Sequence, residues 1–384
     1  MVSSTNDAPT RRAWAPGMLA AGQYATANTL LVLGSVSLLV AGWMPFVVIL
    51  LILVFGSFAD ELSGEDLDRL GDRGRAFYNA NLYLSLPLMC LLAVLLAVFA
   101  RDASFTDQPL QTTGAIWVAG YLFALVGATV GHELAHRQGW ILQAAAHLLL
   151  GFTLNPSFVL YHVHLHHRRV GNYDDASTAR RGERLLVFFG RAVYGQFAQA
   201  AAVEAARLRR KGIPVWSLRN RLILAFAAPV SITAALALVG GPRAVLFFGL
   251  AALLGRFFHE LINFVQHYGL VRAENAPIRP RHSWDCYHRL SNVLHYNLPR
   301  HSDHHMFATK PFWDLGIAEH VPLLPYGYQT MGSIALIPPL WRHIMTPLLA
   351  DWDARFANEA EREIIRSRGW AIAPQLSNHH SVAE

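Results

Sequence analysis

Apolar runs long enough to cross a membrane recur along the chain, and they constrain its fold more than any other feature of the sequence. A bilayer core about 30 Å thick requires roughly 20 residues of helix. Of the 384 residues, 53% are hydrophobic and 15% are charged, which is too apolar for an average soluble domain. We therefore predict an all-α integral membrane bundle of six transmembrane helices, at residues 18–40, 44–60, 77–100, 113–135, 222–240 and 244–268.

The distribution of basic residues indicates how these helices are oriented. Short loops rich in lysine and arginine stay in the cytoplasm. The loops near residues 41–43, 101–112 and 241–243 carry at most one basic residue each, whereas the segment 137–221 is rich in arginine. We therefore expect both termini and this segment to be cytoplasmic, in a bacterial-type cytoplasmic (inner) membrane. The net charge of +6 is then mostly a consequence of orientation and does not indicate a nucleic-acid partner.

The same pattern predicts a single membrane domain over residues 1–384. Its expected parts are a polar N-terminal tail (1–17), six transmembrane helices (18–268) with a cytoplasmic insert (137–221), a cytoplasmic helical cap (269–350) and a C-terminal tail (351–384).

Nine of the 19 histidines fall into four compact groups, within "HELAH", "YHVHLHH", "NFVQHYG" and "RHSDHH". Residues i, i+3 and i+4 share one face of a helix, so each multiple group can direct several imidazoles towards one point. The predicted topology brings all four groups to the cytoplasmic side of the membrane. The candidate metal ligands are His132, His136, His162, His166, His167, His267, His301, His304 and His305.

The number of candidate ligands points to two metal ions. A catalytic zinc takes about three protein ligands and a water molecule, so one zinc would leave most of the nine unexplained. Imidazole binds iron, copper, nickel and zinc, so the ligands do not select the metal. Two further interpretations remain open: a zinc protease, because "HELAH" fits the H-E-x-x-H signature with Glu133 as base, and a metal-binding transporter or sensor.

The four motifs identify a resemblance to a known family. "HELAHR" at 132–137, "HVHLHH" at 162–167, "NFVQHYGLVR" at 263–272 and "LPRHSDHH" at 298–305 resemble the motifs of the integral-membrane alkane 1-monooxygenases. That family is grouped with the xylene-type methyl hydroxylases and, more distantly, with the membrane desaturases. The likeness extends over about residues 44–350.

The resemblance implies a non-haem di-iron centre held by the nine histidines beneath a helix bundle that encloses a channel. It also implies a monooxygenase that uses O2 and two electrons from a separate rubredoxin or ferredoxin. The substrate would be a terminal or benzylic methyl group of a hydrophobic molecule, such as a medium- or long-chain alkane. A lipid desaturase of the same superfamily is the nearest alternative.

Some neighbours of the motifs depart from the family pattern or suggest supporting roles. Tyr161 and Gln266 stand where alkane hydroxylases usually have glutamate. We expect the electron carrier to dock near Arg168 and Arg169, beside the metals. The candidate supporting residues around the metals, which would orient ligands or move protons, are Glu133, Asp303, His259 and Glu260.

Overall fold

A computed structural model describes residues 21–371, and within this range the chain forms helices and no strand. The predicted tail 1–17, the start of the first predicted span and residues 372–384 lie outside the described residues. The helices are α1 (Thr26–Val40), α2 (Met44–Leu62), α3 (Arg75–Phe99), α4 (Pro109–Leu122), α5 (Thr129–Ala135), α6 (Trp140–Gly151), α7 (Phe158–Tyr161), α8 (His167–Arg169), α9 (Leu185–Arg210), α10 (Arg221–Ala225), α11 (Ala227–His267), α12 (Arg289–Leu294), α13 (His301–Met306), α14 (Tyr328–Ala335), α15 (Pro338–Arg355) and α16 (Glu359–Ser367).

Within the described residues, five helical stretches are long and apolar enough to cross a membrane. They are Gln23–Val40, Met44–Leu62, Asp72–Phe99, Pro109–Ala135 and Arg221–His267. Large apolar side chains cover their outer surfaces; Leu39, Phe55 and Leu238, for example, are 71%, 62% and 91% exposed. An apolar surface of this extent suits contact with lipid rather than water, and the all-helical membrane class is confirmed.

The last of the five stretches contains two of the six predicted spans. A straight helix of 41 residues, the length of α11, would extend about 60 Å, twice the thickness of a bilayer core. Its Gly241 has φ 66° and ψ −158°, a conformation that is open essentially only to glycine. The neighbouring residues Gly151 and Thr153 lie against Pro229 and Gly255, which stand on opposite sides of Gly241 in the sequence. The chain therefore reverses at Gly241 and forms a helical hairpin whose arms match the predicted spans 222–240 and 244–268.

Glycines set the distance between α4 and the second arm of α11. A Cβ atom at Gly120 would lie 2.7 Å from the carbonyl oxygen of Ala251, and one at Gly255 would lie 2.9 Å from the carbonyl oxygen of Gly120. Small residues let two helix backbones approach this closely. The close crossing fixes the apolar stretches Pro109–Ala135 and Arg221–His267, whose C-terminal ends carry the first and third histidine motifs.

The segment 137–221, which we expected to be a cytoplasmic insert, begins instead with a helix that packs against the transmembrane bundle. Its first helix, α6, turns back along α5, because positions 127 and 131 lie against Leu149 and Leu150. This largely apolar helix has only 12 residues, extends about 18 Å and is too short to span a bilayer. The chain after α6 therefore turns back again and brings the second histidine motif to the end of α5 that carries the first, where His162 lies next to His132.

The expected C-terminal tail, 351–384, is wrong for the part that the structure describes. Helix α15 runs through the boundary to Arg355, and Trp352 and Ile365 are buried. Glu361 accepts hydrogen bonds from Arg281, at 3.0 Å for each nitrogen, and lies 2.8 Å from His282 Nε2. The many charges of this segment form such ion pairs and a helix cap instead of a solvated tail.

Candidate metal centre

Different helices deliver the histidines, and a π-turn decides how the second motif is arranged. In an α-helix His162 and His166 would share a face, but residues 162–166 form a π-turn in which the His167 amide donates to the His162 carbonyl. Such i to i+5 bonding aligns residues five positions apart. His162 and His167 therefore point together, while His166 points elsewhere.

All nine histidines predicted from the sequence converge, and they do so in two groups. Within each group the candidate ligand atoms all lie within 4.8 Å of one another. The five-histidine group consists of His132, His136, His162, His167 and His304. The four-histidine group consists of His166, His267, His301 and His305.

The contacts within each group have the spacing of metal ligands. The Nε2 atom of His162 lies 2.8 Å from that of His132 and 2.9 Å from that of His167. In the other group, the Nε2 atom of His301 lies 3.0 Å from that of His267 and 3.1 Å from that of His305. Two nitrogens that bind one ion at about 2.1 Å and at right angles lie about 3.0 Å apart.

The histidines have the protonation state that metal binding requires. Burial, together with neighbouring imidazoles, lowers the pKa of His162, His167 and His304 well below the ordinary value for histidine. These rings are therefore neutral at physiological pH, and neutral imidazole is the form that binds metal. The Nε2 atoms of His136 and His166 are buried without a hydrogen-bond partner among the described residues. One such nitrogen lies in each histidine group, which fits the binding of one metal ion by each group.

Asp175, which is not among the predicted site residues, supports the four-histidine group. Its buried carboxylate lies 2.9 Å from His166 Nδ1 and accepts hydrogen bonds from Thr178 at 2.6 Å and from the Tyr161 hydroxyl at 2.5 Å. Burial alone would raise the pKa of Asp175, but His166 and these hydrogen bonds lower it to about 2. A carboxylate behind a ligating histidine fixes the ring orientation and increases its basicity. Nine residues of sequence separate Asp175 from His166, and no helical periodicity links them.

Glu133 and Asp303 were expected to accept hydrogen bonds from the ligating histidines, but their hydrogen-bond partners are other residues. Glu133 accepts hydrogen bonds from Arg137, one helical turn later, at 2.5 Å and 3.0 Å, and from the Phe312 amide at 3.3 Å. Asp303 pairs with Lys310 at 3.0 Å and accepts a hydrogen bond from the Gly316 amide. Each carboxylate is engaged by a nearby cation and a loop amide. This arrangement also leaves Glu133 poorly placed as the base of a zinc protease.

His259 and Glu260 occupy different environments. The His259 ring packs 5.0 Å from that of Phe158 and lines a cavity next to the metal groups. Glu260 is fully buried and forms an ion pair with Arg256 at 3.0 Å. Gln196 donates to both of its oxygens. Neither residue is hydrogen-bonded to the nine histidines, so neither was found to orient a ligand directly.

A largely apolar cavity leads to both histidine groups. It has a volume of about 150 Å³, is partly open to the outside, and touches His132 and His162 of one group and His301 of the other. One wall is a continuous stripe of the fourth transmembrane stretch, and at roughly 1.5 Å per residue it extends about 22 Å from His132 to Trp117. The other apolar lining residues include Leu53, Leu125, Phe158, Phe258, Leu261, Ile262, Leu298 and Leu336. The cavity therefore suits an elongated hydrophobic molecule with one end at the histidines.

Gln266, which stands where the family that the sequence resembles usually has glutamate, also lines this cavity. Its side-chain amide donates to the Tyr328 hydroxyl at 3.2 Å, while its backbone carbonyl accepts from the Trp284 amide at 2.9 Å. A neutral amide here places no charge in the cavity wall beside His267.

Comparison with known proteins gives a consistent set of relatives. Residues 108–335 match the family described as fatty acid desaturase. The chain is 37% identical over 244 residues to alkane 1-monooxygenase 1 of Pseudomonas aeruginosa, a match that covers 61% of this chain and 63% of that protein, less than two thirds of its length. It is 31% identical over 302 residues to the hydroxylase component of the xylene/toluene monooxygenase of Pseudomonas putida, covering 77% of this chain and 82% of the relative. The match to the alkane 1-monooxygenase of Ectopseudomonas oleovorans is 28% identical and covers 81% and 80% of the two chains.

Proposed function

Because this chain belongs to the alkane 1-monooxygenase family within the membrane desaturase and hydroxylase superfamily, we propose that it is a membrane-bound non-haem di-iron monooxygenase. It hydroxylates the terminal methyl group of a hydrophobic chain, most simply a medium- or long-chain alkane. The observation that carries this proposal is the apolar cavity that touches both histidine groups. A reacting methyl group held there faces both proposed ions at once.

The balanced reaction consumes one O2, two electrons and two protons, and yields a primary alcohol and water. The two iron ions, held by the five- and four-histidine groups, would supply O2 activation and oxygen insertion into the C–H bond. The protein contributes the remaining requirements. Its apolar walls exclude water and align the substrate, and His132, His162 and His301, which line the cavity, would be among the residues that hold the metals.

The same geometry is compatible with the orientation proposed from the basic residues. The hairpin at Gly241 divides the last apolar stretch into two arms, which supports six crossings. With a cytoplasmic N-terminus, six crossings bring the ends of α5 and α11, and so both histidine groups, to the cytoplasmic side of the inner membrane. Soluble electron carriers and protons are available on that side.

The length of the cavity sets an expectation for the substrate. An extended chain advances roughly 1.2 Å per bond, so a path of about 22 Å accommodates roughly 12 to 18 carbon atoms. Purified protein with a reduced carrier should therefore convert n-alkanes of this range to 1-alkanols with matching O2 consumption. Alkene products would instead assign a desaturase, and absence of O2 consumption would contradict the proposal.

Trp117 is expected to limit chain length in the same assay. Its indole packs edge-to-face against Phe258, 6.0 Å between ring centroids, at the end of the cavity far from the histidines. Trp117→Ala should extend the cavity and raise the relative rate for alkanes several carbons longer by roughly 10-fold, since one misplaced methylene costs about that much. Trp216→Ala is the matched control because Trp216 is 91% exposed and outside the cavity. An unchanged product profile in Trp117→Ala would remove Trp117 from this role.

The proposed docking site for a separate rubredoxin or ferredoxin is a basic cleft beside the metal centre. Arg168 and Arg169, which directly follow His167, line it together with Arg180, Arg272 and Arg368. Tyr173 lies between two of these cations, 4.1 Å from the Arg180 guanidinium and 3.9 Å from that of Arg368. A concentration of positive charge this close to the histidines suits an acidic carrier.

Charge reversal tests the cleft. The double substitution Arg168→Glu and Arg169→Glu is expected to raise the KM for the carrier at least about 10-fold at low salt while kcat changes little, because rim charges govern encounter. The wild-type KM should rise with salt as the Debye length shrinks. Arg210→Glu, at an exposed arginine outside the cleft, serves as the control. Turnover that is independent of ionic strength in the wild type would defeat electrostatic docking.

A further inference from the structure

The four-histidine group has a charged support that the five-histidine group lacks. Among the described residues, His166 is the only one of the nine histidines whose ring is hydrogen-bonded to a carboxylate. Its Nδ1–H faces Asp175, which leaves the lone pair of Nε2 directed at the other histidines of its group. That Nε2 atom is buried and has no hydrogen-bond partner among the described residues. The carboxylate therefore fixes both the tautomer and the orientation of this ring.

Tyr161 completes the support from the opposite side of the carboxylate. Its buried hydroxyl donates to Asp175 Oδ1 and accepts a hydrogen bond from the Ser177 amide at 2.8 Å. Thr178 donates to the other carboxylate oxygen, and the Gly171 amide donates to Thr178 in turn. Both oxygens of Asp175 are thus engaged, and the loop 171–178 is tied to the second histidine motif.

The residue type at position 161 has an electrostatic consequence. A tyrosine hydroxyl withdraws charge from Asp175, whereas a glutamate, expected here from the family resemblance, would add a second negative charge next to it. The basicity of a ligating imidazole follows the charge of the carboxylate behind it. A weaker pull on the Nδ1 proton leaves His166 a poorer electron donor.

We propose that Tyr161 is a positioning residue that acts through Asp175 and His166, and that it makes the ion in the four-histidine group more electron-poor than a glutamate at this position would. This inference rests on the two-metal part of the proposed function. It distinguishes the two ions, because nothing equivalent supports the five-histidine group within the described residues.

The test uses cobalt(II) as a probe added to metal-free full-length protein. The wild type should bind two ions, seen by titration and by the visible absorption bands. Asp175→Asn is expected to lower the affinity for one of the two ions by about 10–100-fold in chelator competition and to leave the affinity for the other unchanged. Tyr161→Phe should keep both ions but shift the absorption bands of one, and in the iron-loaded protein it should lower the reduction potential of one ion.

Two further variants decide between a specific and a merely structural role. Tyr161→Glu should lower the same reduction potential further than Tyr161→Phe does. Tyr78→Phe removes another buried hydroxyl, which has no partner among the described residues, and should leave both ions as in the wild type. If Tyr161→Phe matches Tyr78→Phe in spectra and potential, or Asp175→Asn retains both ions at wild-type affinity, the inference is overturned. If the wild type itself binds fewer than two ions, the two-metal function fails instead.

Discussion

Replacing His301 by alanine is expected to lower the metal content of the purified protein from two ions per chain to one. Hydroxylation should fall at least about 100-fold, because loss of a residue that merely supports a ligand already lowers metal affinity or activity roughly 10–100-fold. His301 lies at the centre of the four-histidine group, in contact with His267 and His305, and also borders the cavity. Its removal leaves three ligands around one ion and all five around the other. The reaction then loses one of the two proposed ions beside the substrate.

Metal analysis and rate measurement on the same preparation check this expectation. His343→Ala is the matched control, since His343 is exposed and belongs to neither group. His162→Ala should have the complementary effect and remove the other ion. One zinc ion per chain in the wild type, together with full activity of His301→Ala, would contradict the di-iron assignment and return "HELAH" to the protease interpretation.

The convergence of the nine histidines around two metal sites was predictable, whereas the assignment of each histidine to one of the two groups was not. Spacings of three and four residues on helices, combined with the positive-inside topology, are enough to bring the four motifs to one side. The division depends on the π-turn at residues 162–166, which pairs His162 with His167 and turns His166 away. An analysis based on α-helical periodicity expects i, i+4 pairs and therefore does not detect an i, i+5 pair.

The supporting residues were the least predictable part of the site. Glu133 and Asp303 stand inside the motifs, yet Arg137 and Lys310 engage them, because a cation within reach along the chain competes with an imidazole for each carboxylate. Asp175 lies in a loop outside the motifs and is brought to His166 only by the fold of residues 171–178. Tertiary placement of this kind leaves no periodic trace in a single sequence.

The membrane helices show the same contrast between features that the sequence pattern predicts and features that depend on tertiary packing. Their approximate positions follow from hydropathy, and Gly241 with Pro242 marks the reversal inside the apolar stretch that ends at His267. Helix α6 lies in the arginine-rich segment 137–221, which the sequence therefore suggested to be a cytoplasmic insert. Its packing against α5 depends on Gly127 and Gly131, whose missing side chains leave room for Leu149 and Leu150.

Removing the carboxylate of Glu260 is expected to cause the largest loss of stability. Glu260 and Arg256 form an ion pair at 3.0 Å with side chains 0% and 5% exposed, and Gln196 bridges them by donating to Glu260 and accepting from Arg256 at 2.5 Å. Glu260→Ala leaves the guanidinium buried without a counter-charge and removes an acceptor of the hydrogen bonds that Gln196 and Asn263 donate. Breaking one partner of a buried pair costs about 3–5 kcal/mol. Thermal unfolding in detergent should therefore show a strongly reduced midpoint.

The double variant Arg256→Leu with Glu260→Leu separates the ion pair from a general packing effect. Removing both charges together eliminates the unpaired group, and such replacements are often neutral or stabilising, so the double variant should unfold at a higher temperature than Glu260→Ala. Glu363→Ala provides the surface control, because its pair with Arg366 is exposed and screened by solvent, so it contributes little to stability. If Glu260→Ala unfolded at the wild-type temperature, the pair would contribute little to stability. Its position two helical turns before His267 would then argue for a role in catalysis instead, measurable as a loss of kcat with both metals retained.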